Sequence, residues 1–257
     1  MLFSSNLYKA AKSKIPLSVK EYLKGTYYRF KIFNEKRIFC ISFQKTGTTS
    51  VGNFFEHFGY PTGRWHHALK NQWEISWYEG DFETIFSSKD FKRNQIFEDS
   101  PWYYPEFYKF LYHRFPGSKF ILFYRDEDDW FRSMVAHGKG MSTNRITKMH
   151  AKVYRRENEF YKRADKDPEF NTFEVDPERM MIIKDMEDHY KSIYVRRNRE
   201  VIEFFERNDR NALFVCNLYD DRKWQNLGEF IGIDVPEDFD LHVNKTQRTK
   251  NEIQADN

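Results

Sequence analysis

The sequence predicts an α/β fold, a three-layer sandwich in which helices flank a mainly parallel central sheet. Three observations predict it. Short apolar runs rich in β-formers recur at 37–43, 94–99, 119–125 and 212–218. Segments with helical spacing separate them, and parallel strands need crossovers of that kind. The chain has 257 residues, 40% of them hydrophobic, so it can bury one sizeable core, and no Gly/Ser/Pro-rich linker divides it. A single domain over 1–257 is therefore expected.

Taken in order, residues 1–34 intersperse lysines with Leu, Tyr and Ile, which predicts a helical extension packed on the domain. No stretch reaches the roughly 20 apolar residues that span a bilayer, and no signal-peptide core is present. The expected location is cytoplasmic. The run 37–43 is the first strand. A polar loop, Gln44 to Ser50, follows it directly. Val51, Phe54, Phe55 and Phe58 then keep helical spacing up to Gly59, a plausible stop. Tyr60 to Arg64 reads as a turn, and 71–90 as helical and surface-exposed. The strand 94–99 ends in acids, and Ser100-Pro101 is expected to open a helix through Phe115, with Pro at a first helical position. Lys119 to Tyr124 is the strongest strand signal, closed by Arg125-Asp126. A helix from about Asp128 carries Trp130 and Met134. Residues 138–180 are strongly charged and read as a helical insertion over the sheet. A helix at 190–207, a strand at 212–218, a helix at 224–231 and a polar tail complete the chain.

Charge and cysteines narrow the function. Lys+Arg number 42 against 39 Asp+Glu, a net +3, which argues against a general nucleic-acid binder but allows a local basic pocket for a small anion. Cys40 and Cys216 lie in apolar runs and read as buried, reduced core thiols, with neither a disulfide framework nor zinc spacing.

The loop after the first strand is the chemical centre. A helix N-terminus presents unpaired N–H groups and partial positive charge, and so binds phosphate or sulfate. Gly47 lets the backbone wrap an anion. Thr48, Thr49 and Ser50 add hydroxyl donors, and Lys45 adds a mobile full charge. The lysine precedes the glycine, the reverse of the Gly-Lys-Ser/Thr order of nucleoside-triphosphate loops. A second element sits at the end of the 119–125 strand. There Arg125, with Ser133 eight residues on in the next helix, can grip another phosphate. Two such elements on one sheet edge suit a ligand with phosphates at both ends.

On these two segments, Gln44 to Ser50 and Phe120 through Arg125 to Ser133, the chain resembles the PAPS-dependent sulfotransferase superfamily, over about residues 37–246. PAPS is 3′-phosphoadenosine 5′-phosphosulfate, and PAP is the product left when its sulfonate is gone. The resemblance implies a P-loop-like sulfotransferase fold and no metal. It implies that Lys45 and the amides of Thr46, Gly47, Thr48, Thr49 and Ser50 hold the 5′-phosphosulfate. Arg125 and Ser133 would hold the 3′-phosphate, and Lys45 would stabilise the leaving oxygen. The chain departs from the family pattern where Asp126-Glu127 replaces a common Asn-Pro.

An acceptor hydroxyl or amine also needs a base near Lys45. His67, Asp99 and His66 are the candidates, in that order. The acceptor is expected to be a small molecule, lipid or carbohydrate, not nucleic acid, and its identity and the oligomeric state are not legible. Three other readings stay open: a nucleotide or metabolite kinase, a non-catalytic PAP- or nucleotide-binding module, and a structural partner protein.

Overall fold

A computed structural model describes residues 36–136, 148–167 and 184–241. The expected helical extension at 1–34, the rest of the 138–180 insertion and the end of the tail lie outside the described residues. Five parallel strands form one sheet: β1 Ile38–Cys40, β2 Thr62–Gly63, β3 Ile96–Phe97, β4 Lys119–Tyr124 and β5 Leu213–Asn217, in the order β2-β3-β1-β4-β5. Every crossover returns to the same edge, so all five carboxyl ends open on one side. In open sheets that edge is where ligands bind.

Helices cover both faces. On one lie α1 (Thr48–His57) and α11 (Lys223–Ile231), packed through Val51, Phe54, Trp224 and Leu227 against Cys40, Ile121 and Phe123. The other face is larger and more aromatic. Phe39, Ile41 and Phe120 pack there against α6 (Phe107–Arg114), α7 (Glu127–Ala136) and the 22-residue α10 (Glu187–Asn208). The alternation along β4 explains the division, because Phe120 and Leu122 point one way and Ile121 and Phe123 the other.

Three expectations are corrected. The 71–90 stretch is not one exposed helix. It breaks into α3 (Trp73–Glu79), α4 (Phe82–Ser87) and α5 (Lys89–Arg93), preceded by α2 (Trp65–Lys70). Left-handed Gly80 stops α3, while Asp81 and Ser88 cap the next two, and Trp73, Trp77, Ile85 and Phe86 are buried. The turn at 60–64 contains the edge strand β2. Ser100-Pro101 does not open a helix, and α6 starts only at Phe107. Trp102, Tyr103 and Tyr104 are all buried. Three consecutive helical residues fan over most of a turn and could not all face a core, whereas an irregular turn can bury them. Within the insertion, α8 (Lys148–Val153) and α9 (Glu157–Ala164) pack onto the aromatic face through Met149, Tyr154 and Phe160. Among the described residues no helix is long and apolar enough to cross a membrane.

Candidate active site

The loop after β1 is held from several sides. The Trp130 indole donates to the Gln44 carbonyl (3.0 Å), and the Gln44 amide donates to the Tyr154 hydroxyl (3.0 Å). The Thr46 hydroxyl donates to the Phe43 carbonyl (2.5 Å), so it shapes the loop and leaves anion contact to its main chain. Lys45 and Gly47 both adopt positive φ, 68° and 84°. Glycine tolerates that conformation. A lysine there persists only where its surroundings enforce it. Gly47 serves as the N-cap of α1 with no side-chain cap, and no acid stands in the first turn. The first amides of α1, over Thr48, Thr49 and Ser50, thus keep their dipole uncompensated, as an anion site requires.

Arg125 follows β4 on the neighbouring strand. Its main chain exchanges two hydrogen bonds with the Tyr194 hydroxyl (3.0 and 3.1 Å), and Tyr194 stacks on Trp130 at 4.4 Å. That pair fixes where the guanidinium starts. Nη1 then donates to the Lys45 carbonyl (3.4 Å), Nη2 lies 4.0 Å from Asp129, and the guanidinium stands 5.3 Å above the Tyr219 ring. Its Nε is buried without a partner among the described residues. Ser133 is half-buried on α7, one turn beyond Trp130 and so on the helix side that meets the β1 loop.

Asp99 closes the group from β3. It too takes a positive φ, 69°. Burial, then the neighbouring Glu74 carboxylate, push its pKa up to about 6, opposed by the Ser100 amide, Lys45 and Arg64. Burial lowers Lys45, with Asp99 pulling its pKa back up and Arg125 pressing it down. Lys45, Asp99 and Arg125 therefore share one electrostatic site at the carboxyl edge of β3, β1 and β4.

The histidines are placed differently. The Nδ1 of His67 accepts from the Arg64 amide (3.0 Å) in a capping box, so His67 helps start α2. Burial lowers its pKa first. The charges around it are His66, Asp90 and Lys70, not Lys45. His66 is exposed beside it, the rings 4.1 Å apart.

The sequence reading missed Arg64 and Glu98. Arg64 crosses Gly52 of α1, where an added Cβ would lie 2.1 Å from its Nη1. It donates to Asn53 (2.5 Å) and pairs with buried Glu98 (3.2 Å). Burial and then the Asp99 charge push Glu98 up to about 8, with Arg64 opposing. The signal was a glycine inside an otherwise apolar helical pattern, which marks a close approach by another group.

The family model described as "Sulfotransferase domain" matches residues 37–249, most of the chain, and the protein belongs to that family. Among curated proteins none matches the sequence. Among solved structures it is similar to a sulfotransferase from Alicyclobacillus acidocaldarius, at 12% identity and a TM-score of 0.46, covering 86% of this chain and 89% of that one.

Proposed function

We propose that the chain moves a sulfonate group from PAPS to a hydroxyl or amine of an acceptor, with Asp99 as the base. The observation that carries the reading is the contact between Arg125 Nη1 and the Lys45 carbonyl (3.4 Å), which joins the two anion-binding elements into one edge. The residues present fit the donor. The α1 amides lack any capping side chain, and the Arg125 Nε is buried with an unused proton. Lys45 and the amides of Thr46 to Ser50 hold the 5′-phosphosulfate, and Arg125 with Ser133 holds the 3′-phosphate. PAPS is a substrate here and supplies the activated sulfonate.

Lys45 neutralises charge on the bridging oxygen as its bond to sulfur breaks and the acceptor atom bonds to sulfur. Asp99 takes the acceptor's proton, and PAP is released. Asp99 is preferred over His67 because Lys45 lies in its field, whereas the Nδ1 lone pair of His67 is occupied by the Arg64 amide. Its raised pKa brings a carboxylate closer to neutrality, where a base is stronger yet still ionised.

The test is transfer of radiolabel from PAPS over mixed metabolite extracts, followed by identification of the labelled product. Once the acceptor is known, the rate should rise with pH through about 6, as Asp99 loses its proton, and then level off. Asp99→Asn should remove that limb along with the activity, while His67→Gln keeps both. Loss of the acid limb in His67→Gln instead would move the base to the histidine.

A further inference from the structure

We propose that the cavity floored by Arg197 is an acceptor-binding site that takes a carboxylate or other oxyanion borne on an apolar body. It rests on the sulfonate-transfer reading and assigns the acceptor's class. The cavity opens to solvent and lies between α10, α8 and the 99–106 turn. Phe43, Tyr103 and Tyr108 form its aromatic wall. Phe43 stands two residues before Lys45, and Tyr103 four after Asp99, so the wall is built from the same two chain segments that carry the site described above. Phe43 packs on Tyr103 at 5.6 Å and on Tyr154 at 6.2 Å, the tyrosine that receives the Gln44 amide.

The charges point to an anion. Arg155 and Arg196 at the mouth are exposed and face two exposed carboxylates, Glu106 and Glu200, so the mouth is balanced. Glu106 already pairs with Lys109 (3.0 Å). Arg197 is the charge left over, and it is only 6% exposed. One of its nitrogens donates to the Tyr103 carbonyl (3.2 Å), while Nε and Nη1 are buried without partners among the described residues. Its guanidinium lies 5.2 Å from the Phe43 ring and 5.7 Å from Tyr108. Ring faces do not replace hydrogen-bond acceptors, and a buried guanidinium with idle protons is costly in the empty protein. A planar oxyanion satisfies it. Burial lowers the arginine's pKa only to about 10, so it stays charged at neutral pH. Two lining residues, Glu106 and Arg155, also hold left-handed backbone at φ 60° and 53°, a conformation that gathers at ligand clamps.

Phenylacetate and benzylamine, one ring with opposite charges, are the probes, and thermal unfolding is the readout. Phenylacetate at tenfold excess over its Kd should raise the wild-type Tm by roughly 3–5 °C, and benzylamine should not. Arg197→Met, which keeps the side-chain volume without the charge, should be silent to phenylacetate. Ile193→Trp, which fills the mouth and leaves Arg197 in place, should be silent too, and keeps the test decisive if Arg197→Met does not fold. The inference is overturned if the wild type answers both probes alike or neither, or if a folded variant keeps the phenylacetate response. Calorimetric titration of PAP runs on the same proteins. Normal PAP binding without a phenylacetate response sinks the cavity alone, whereas a wild type that binds no PAP sinks the donor reading while the probes still decide the cavity.

Discussion

The loops after β1 and β4 leave neighbouring strands at the same edge and each feeds a helix, yet they are built oppositely. Gly47 offers no cap to α1, and the first turn of α1 holds no acid. Asp126 caps α7 firmly, its carboxylate accepting from the amides of Asp128 (2.9 Å) and Asp129 (3.2 Å), and Glu127, Asp128 and Asp129 fill the first turn. The first helix leaves its dipole for a ligand, while the second has already neutralised its own. On the proposed reading, one end of the donor is held by main chain and the other by the Arg125 side chain.

Breaking the first loop should have the largest effect. Lys45→Ala removes the full charge proposed to stabilise the leaving oxygen, and transfer should fall about 10²–10³-fold, or ~2.7–4 kcal/mol of transition-state stabilisation. Steady-state rates of PAPS turnover measure it, and PAP affinity should fall less than the rate, because the α1 amides remain. An equal fall in both would mean that Lys45 only binds. Arg125→Ala comes next. With no helix amides to take its place, PAP should bind more weakly by about 1.5–3 kcal/mol, roughly 10- to 150-fold. Wild-type affinity in that variant, read by calorimetry, would break the comparison, since it would show that the β4 end does not depend on its side chain.

Local features were legible in the sequence and tertiary ones were not. Lys45 to Ser50 could be read because a strand, a Gly/Thr loop and a helix are local features. The strands at 94–99, 119–125 and 212–218 were legible for the same reason, as each is a continuous apolar run. What escaped depended on tertiary contact. The edge strand β2 is two residues of an apparent turn that pair only because β3 lies alongside. The helix expected at Ser100 gave way to a turn because Trp102, Tyr103 and Tyr104 all had to be buried. The contact of Arg64 with Glu98 joins residues just past the ends of β2 and β3, and His67 gave no sign in sequence that Arg64 would occupy its Nδ1.

The cap on α7 is the feature that sets the second loop apart, and removing it should sharpen the contrast. Asp126→Ala strips two hydrogen bonds from the α7 amides and should cost about 1 kcal/mol of stability, measurable by denaturant unfolding. The matching change at α1, Thr48→Ala, removes no cap and should cost less.

Asp129 gives the smallest effect and the finest test. Its carboxylate accepts from the Tyr219 hydroxyl (3.0 Å), pairs with Arg132 and lies 4.0 Å from Arg125. Those cations and the hydroxyl hold its pKa below the usual aspartate range against the opposing effect of burial, so it is charged at neutral pH. A phosphate arriving at Arg125 meets that charge. Asp129→Asn keeps the shape and the bond to Tyr219 while removing the repulsion, and PAP should bind about two- to fivefold more tightly at low salt, or ~0.5–1 kcal/mol. The gain should shrink as salt screens the pair. AMP, which has no 3′-phosphate, should show no gain, so titrating both ligands separates a charge at the Arg125 end from a general loosening of the site. Weaker PAP binding in Asp129→Asn would mean that the carboxylate orients Arg125 more than it opposes the phosphate.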